Sequence, residues 1–185
     1  MISSLVGIIA SSGGVAGGDY ESIATVTLGS AASTISFSSI PSTYQHLQVR
    51  GIARGTLASN EVTIRMRFNS DTGNNYARHI LEGDGVTAAA YAASSGNLMA
   101  LGTASASTAG ASIFGVAVAD VLDYKDTNKY KTLRNLSGND RNGSGAISLT
   151  SGLWMNTAAI TSITIFADSG NLDQYSSFAL YGIKG

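Results

Sequence analysis

The sequence predicts an all-β protein, an antiparallel β-sandwich of jelly-roll-like type, and three observations support this. Residues 62–68 alternate strictly between apolar and polar side chains, so the apolar ones share one face of a strand, opposite Thr63, Arg65 and Arg67. Similar short runs recur between clusters of Gly, Asn, Asp and Ser that favour turns. No segment shows a sustained helical period, and roughly eight or nine strands account for the chain.

The first predicted strands lie in the N-terminal half. β-rich runs cover residues 23–28, 33–40, 45–54 and 62–68. Pro41 ends the second run because proline cannot donate a hydrogen bond to a strand ladder. The run at 76–82 is short and ambiguous. The stretch 86–110, rich in Ala, Ser, Gly and Thr, predicts either a long loop or thin edge strands.

The second half predicts four further strands and one basic segment. Residues 113–124 form a continuously apolar run, which predicts a strand buried on both faces. The basic segment 125–134 predicts a solvated edge strand, because lysines protect sheet edges from aggregation. Residues 146–154, 161–167 and 177–183 complete the set.

Three arginines form the first candidate binding surface. If the runs 45–54 and 62–68 pair as an antiparallel hairpin, Arg50, Arg65 and Arg67 share one outward face, and Arg54 lies near Glu61. Like charges that face each other across a sheet need a nearby acid, which the segment 82–84 or another subunit would supply. The surface is then either a docking site for a partner or an internally salt-bridged sheet face.

Composition places limits on the possible functions. The chain has 185 residues, a formal net charge of −1, 12% charged and 44% hydrophobic residues, and no cysteine. Its length suits one domain, and its charge excludes an electrostatic nucleic-acid binder. The missing cysteines exclude disulfides, thiolate zinc sites and cysteine nucleophiles. A weakly charged surface rich in hydroxyl groups suits a protein that packs against neighbours.

The N-terminal residues form the second candidate binding element. We divide the chain into an apolar arm and flexible tether at 1–18 and a β-sandwich domain at 19–185. In an arm, Leu5, Val6, Ile8 and Ile9 would need a groove on a partner. A first strand of the core is the alternative. The apolar run is too short for a signal peptide and far too short to span a membrane.

No combination of residues predicts catalysis or a cofactor. Serines are abundant, but no Gly-x-Ser-x-Gly elbow is present, and His46 and His79 lie on predicted strands with polar neighbours. The acidic turns 71–75 and 120–126 offer oxygen ligands for calcium, but neither has EF-hand spacing, and local Asx turns use the same residue types. We therefore predict a non-enzymatic protein without cofactor or metal.

Several segments together resemble a group of small phage virion proteins, best represented in cyanophages and marine phages. The similarity covers most of residues 19–185 and weakens in the Ala- and Ser-rich middle. The matching segments are residues 20–25, 37–54, 67–69, 83–85, 123–140, 151–155 and 174–185. They share a pattern and carry no catalytic motif.

The resemblance implies a structural role in the virion, which is assembled in the host cytoplasm. The expected function is that of a capsid decoration (cement) protein, which forms a homotrimer and binds neighbouring copies of the major capsid protein. The alternative is a tail-fibre or receptor-binding adhesin that recognises host surface glycan through its loops and aromatic residues. The decoration role is favoured because the fibrous repeats of tail fibres are missing from this chain.

Overall fold

The computed structural model describes residues 18–185, which form two β-sheets packed face to face. The described chain contains twelve strands. They are β1 (Tyr20–Thr27), β2 (Thr34–Phe37), β3 (His46–Ala53), β4 (Glu61–Phe68), β5 (Tyr76–Gly83), β6 (Ala88–Gly96), β7 (Met99–Ser105), β8 (Gly115–Leu122), β9 (Lys131–Asp140), β10 (Gly145–Trp154), β11 (Ile163–Ala167) and β12 (Ser177–Ile183).

The two sheets differ in size. The large sheet has the strand order β1-β12-β3-β8-β9-β10-β5-β6, and the small sheet has the order β2-β11-β4-β7. Neighbouring strands are antiparallel throughout both sheets. The predicted antiparallel β-sandwich is therefore confirmed. Because the small sheet has half as many strands, it leaves part of the inner face of the large sheet uncovered near β5 and β6.

Period-two alternation builds the core between the sheets. On β4 the apolar residues Val62, Ile64, Met66 and Phe68 are all buried, as the sequence predicts. Trp154, at the end of β10, is 1% exposed, and its ring centroid lies 5.6 Å from that of Phe68. Large aromatic side chains thus fill the space at one end of the sandwich.

A tight turn closes the hairpin between β9 and β10. Asn142 and Gly143 both have positive φ values, 57° and 108°, and the amide of Arg141 donates to the carbonyl of Ser144 at 2.7 Å. This is the geometry of a two-residue type I′ turn, which Asn-Gly favours and which matches the twist of the flanking strands. The turn fixes the register that aligns the outer faces of β9 and β10.

The predicted hairpin between residues 45–54 and 62–68 is wrong. β3 lies between β12 and β8 in the large sheet, whereas β4 lies between β11 and β7 in the small sheet. Arg54 turns inward and donates to the carbonyls of Ala109, Gly110 and Ile113, and Glu61 pairs with Arg141. Alternation identifies strands but not their partners, so adjacency in sequence was a poor guide here.

Three other local predictions meet different outcomes. Residues 86–110 contain β6 and β7, each of which is one of the two edge strands of its sheet, and this confirms the edge-strand alternative. The strand at 113–124 is buried on one face only, because Val116 and Leu122 of β8 are exposed. The basic segment does not form an edge: β9 is central in the large sheet, and Lys131 is buried.

The candidate arm, with Leu5, Val6, Ile8 and Ile9, lies outside the described residues. Within residues 18–185, no helix is long and apolar enough to cross a membrane.

Candidate functional site

The outer face of the large sheet carries a continuous group of exposed apolar side chains. We call it the outer apolar patch, and its members are between 47% and 60% exposed. Two rows of the sheet bring them together across five strands, β3, β8, β9, β10 and β5. The patch consists of Ile52, Leu81, Val116, Leu136, Ile147 and Leu149.

The strand register explains the continuity of the patch. Leu136 lies opposite Leu149 on β10, and Leu149 lies opposite Leu81 on β5. In the next row, Ile52 lies opposite Val116. Side chains at such positions are only about 5 Å apart, so they form one surface and not scattered single residues.

The patch borders a broad groove of about 760 Å³. The groove is lined by patch members, by Phe114 and by the two turns at residues 83–85 and 143–145. An apolar floor with walls formed by turns suits the docking of another polypeptide, because a contiguous exposed apolar surface is uncommon on a monomer.

A polar network forms one border of the patch. The Gln48 amide donates to Asp120 at 2.6 Å, and Arg134 donates to the same carboxylate at 2.8 Å. Burial acts to raise the pKa of Asp120, but these two hydrogen bonds outweigh it and hold the pKa below its usual range. The Asp120 carboxylate is therefore ionised and lies beside an apolar surface. Charged groups at the border of an apolar patch are typical of an interface rim.

The three arginines predicted to share a face lie on two different sheets. Arg50 is on the outer face of the large sheet, with its guanidinium carbon 5.2 Å and 5.5 Å from the ring centroids of Tyr20 and Tyr181. Arg65 and Arg67 belong to β4 in the small sheet, so the predicted arginine surface is wrong as a single face. The role of each arginine in partner binding stays a prediction.

Arg65 and Arg67 have separate partners in the small sheet. Arg65 donates to Asp168 at 3.0 Å, so its acid comes from the end of β11 and not from residues 82–84. Arg67 lies 4.8 Å from the ring centroid of Phe166 and donates to the carbonyl of Asn97 at 3.0 Å. Both contacts hold long side chains against the outer face of the small sheet.

A second concave site lies where the small sheet stops short of β5 and β6. We call this the arginine cavity; it has a volume of about 290 Å³ and is lined by Arg65, Arg78, Glu82, Tyr91, Ser148 and Thr150, together with Thr63, Thr103, Ile80 and small residues of β6 and β7. Sequence reasoning missed Arg78, because residues 76–82 gave an ambiguous strand signal.

The acidic turn at residues 71–75 is a structural turn. The Asp71 carboxylate accepts hydrogen bonds from the Gly73 amide at 2.8 Å, the Asn75 side chain at 2.9 Å and the Trp154 indole at 2.7 Å. These are local Asx-turn bonds and a link to the core. Among the described residues, no group of three or more His, Cys, Asp or Glu side chains has an arrangement that could hold a metal ion.

The two histidines are on strands, as predicted, and lie far apart in the large sheet. His46 is on β3, where its Nδ1 accepts a hydrogen bond from the Asp123 amide at 2.9 Å. His79 is exposed on β5.

Comparison of the chain with protein-family models, with curated proteins and with solved structures finds no match. The resemblance to phage virion proteins therefore remains a prediction from the sequence.

The signal for the outer apolar patch was present in the sequence. Val116 belongs to the continuously apolar run that predicted burial on both faces, and Leu136, Ile147 and Leu149 occupy the outward phase of β9 and β10. Apolar residues that recur in the outward phase of neighbouring strands indicate a covered face, and the cover can be another subunit.

Proposed function

We propose that this protein is a structural component of a phage virion, a capsid decoration protein that associates with further copies of itself through the outer apolar patch. The observation that carries the proposal is the patch. Six large aliphatic side chains are about half exposed on one sheet face, in a chain with few charges to keep such a face solvated. The virion context comes from the sequence resemblance.

Burial of the patch would supply a useful part of the association energy. Covering the exposed half of an aliphatic side chain contributes roughly 1 kcal/mol, and six are available. The entropy cost of association is about 4–15 kcal/mol, so polar contacts at the rim must add to this contribution. The network around Asp120 and Arg134 is suited to that role.

In this proposal the assembled homotrimer clamps neighbouring copies of the major capsid protein. The trimer contact uses the patch, and the N-terminal residues with Leu5, Val6, Ile8 and Ile9 bind the capsid. The division gives each apolar element one partner and makes the two contacts separable by experiment.

The trimer contact is tested by sedimentation equilibrium of the purified protein and of a Leu136→Lys variant. An ammonium group in an apolar contact costs roughly 2–3 kcal/mol, so the dissociation constant of the trimer is expected to rise more than tenfold. Thr132→Lys is the matched control, since Thr132 is exposed on the same strand and face, about 13 Å away. A monomeric wild-type protein, or equal disruption by both variants, would contradict the proposed contact.

The capsid contact is tested by co-sedimentation with empty capsids. A chain that lacks residues 1–17 is expected to stay trimeric and to lose capsid binding. Undiminished co-sedimentation of this truncated chain would refute the role given to the N-terminal residues. A copy number in the virion near that of the major capsid protein supports decoration, whereas a few copies per particle would support the tail adhesin instead.

A further inference from the structure

The arginine cavity contains two guanidinium groups whose hydrogen-bonding capacity is only partly used. Arg78, half-buried on β5, makes no hydrogen bond or ion pair with any residue of the described range 18–185. Arg65 uses one nitrogen for Asp168, but its Nε is buried without a hydrogen-bond partner. A buried donor without a partner costs about 1–3 kcal/mol, so such groups need an explanation.

The two guanidinium groups also repel each other. Burial lowers the pKa of Arg78, and the charge of nearby Arg65 lowers it further. Asp168 acts in the opposite direction, but it pairs directly with Arg65 only. An added anion between the two arginines would relieve the repulsion and supply the missing acceptors.

Glu82 limits the charge that the cavity accepts. It lines the same cavity, and its carboxylate accepts a hydrogen bond from the Ser148 hydroxyl at 2.8 Å. Arg65 and Arg78 are opposed by Glu82 in the lining and by Asp168, which pairs with Arg65, so these four charges balance. One carboxylate is therefore a better match than a phosphate dianion, and arginine binds carboxylates through two parallel hydrogen bonds.

The rest of the lining is rich in hydroxyl groups. Thr63, Thr103, Ser148 and Thr150 offer groups that both donate and accept, and Tyr91 is 54% exposed. The polar character continues beneath the small sheet, where Asn135, opposite Thr150, is fully buried and both its side-chain polar atoms lack hydrogen-bond partners. Such a lining suits a ligand with several hydroxyl groups.

We propose that the arginine cavity binds an acidic sugar residue, a hexuronate whose carboxylate pairs with Arg78 and Arg65. Its hydroxyl groups bond to Glu82, Ser148 and Thr150, and its ring lies against Tyr91. The volume of about 290 Å³ is at the small end of ligand sites, which suits one monosaccharide. The site is on a different part of the molecule from the outer apolar patch and does not depend on the proposed trimer.

The test is an NMR titration of the full-length protein with glucuronate and galacturonate. We expect binding in roughly the millimolar range, with amide shifts centred on β5, β6 and β10. Glucose, acetate, N-acetylglutamate and inorganic phosphate are the comparison ligands. If uronate binds no more tightly than glucose, the cavity is not an anion site and the proposal is overturned. If phosphate binds more tightly than uronate, the proposed preference for a carboxylate is overturned. If acetate or N-acetylglutamate binds as tightly as uronate, the proposed recognition of the sugar is overturned.

Arg78→Gln is expected to weaken uronate binding roughly tenfold or more, because a charged hydrogen-bonding group is lost. Lys129→Gln removes one positive charge from an exposed lysine outside the cavity, so it is the matched control and should bind as the wild type does. Equal binding by Arg78→Gln overturns the proposal. If that variant does not fold, two measurements replace it. Tyr91→Ala should bind uronate several-fold more weakly, and the affinity of the wild-type protein for uronate should decrease as the salt concentration rises from about 0.02 to 0.5 M. Failure of either expectation also overturns it.

Discussion

Replacement of Asp71 tests whether the acidic turn at residues 71–75 is a structural link to the core. Its carboxylate joins the turn to the indole of Trp154, which is 1% exposed. Asp71→Asn keeps the shape of the side chain but replaces one accepting oxygen with a donor, so at least one of the three hydrogen bonds is lost. Hydrogen bonds to charged groups contribute about 1.5–3 kcal/mol, and partial exposure of Asp71 reduces this, so we expect a loss of roughly 1–2 kcal/mol.

The assay is urea unfolding followed by tryptophan fluorescence. The chain has one tryptophan, so the signal comes from the site that is perturbed. Asp84→Asn is the matched control, because Asp84 accepts similar local bonds from Val86 and Thr87 in an exposed turn. Equal, small effects of both variants would refute the reasoning. Stabilisation of the wild type by calcium, and not of Asp71→Asn, would instead establish the turn as a calcium site.

The same carboxylate predicts a pH dependence. Burial acts to raise the pKa of Asp71, but hydrogen bonds from Asn75, Trp154 and Gly73 outweigh it and hold the pKa below its ordinary value of 3.8. Because the pKa of Asp71 is lower in the folded state than in the unfolded state, the ionised carboxylate stabilises the fold at pH values above the unfolded-state pKa. That stabilisation is lost as the pH falls through the pKa that Asp71 has in the folded state. The difference in stability between the wild type and Asp71→Asn should therefore shrink below about pH 4.

Two further substitutions test the packing of the sandwich by urea unfolding. Lys131→Met should lower the free energy of unfolding by roughly 2–3 kcal/mol, because the buried ammonium donates to three backbone carbonyls. Lys129→Met, at an exposed ion pair, should have a clearly smaller effect, and the reverse order would contradict the role of Lys131. Gly51→Ala should cost roughly 1–3 kcal/mol because its Cβ would overlap the Phe178 ring. Gly29→Ala meets no atom within 4 Å, and equal costs at both glycines would contradict this packing.

Local patterns in the sequence were sufficient for the fold class. The alternation on β4 correctly assigned its buried and outward residues, and the Asn142-Gly143 pair lies at the turn of a hairpin. These features depend on residues within a few positions of one another, since side-chain direction and turn conformation are local properties.

Strand partners, by contrast, were settled by contacts between distant residues. β3 and β4 are adjacent in the chain but lie in different sheets, so Arg50 is separated from Arg65 and Arg67. The basic segment before and within β9 looked like an edge because the sequence did not show that three backbone carbonyls enclose Lys131. Such an enclosure forms only when the segment packs against the residues that precede β11.

The sequence by itself determined that this chain forms short antiparallel strands with a weakly charged surface, because alternation, turn residues and composition act locally. Only the tertiary structure decided which residues form sites. The outer apolar patch joins five strands, and the arginine cavity joins residues of both sheets. A site of either kind depends on the register and packing of segments far apart in the chain, which a local pattern does not encode.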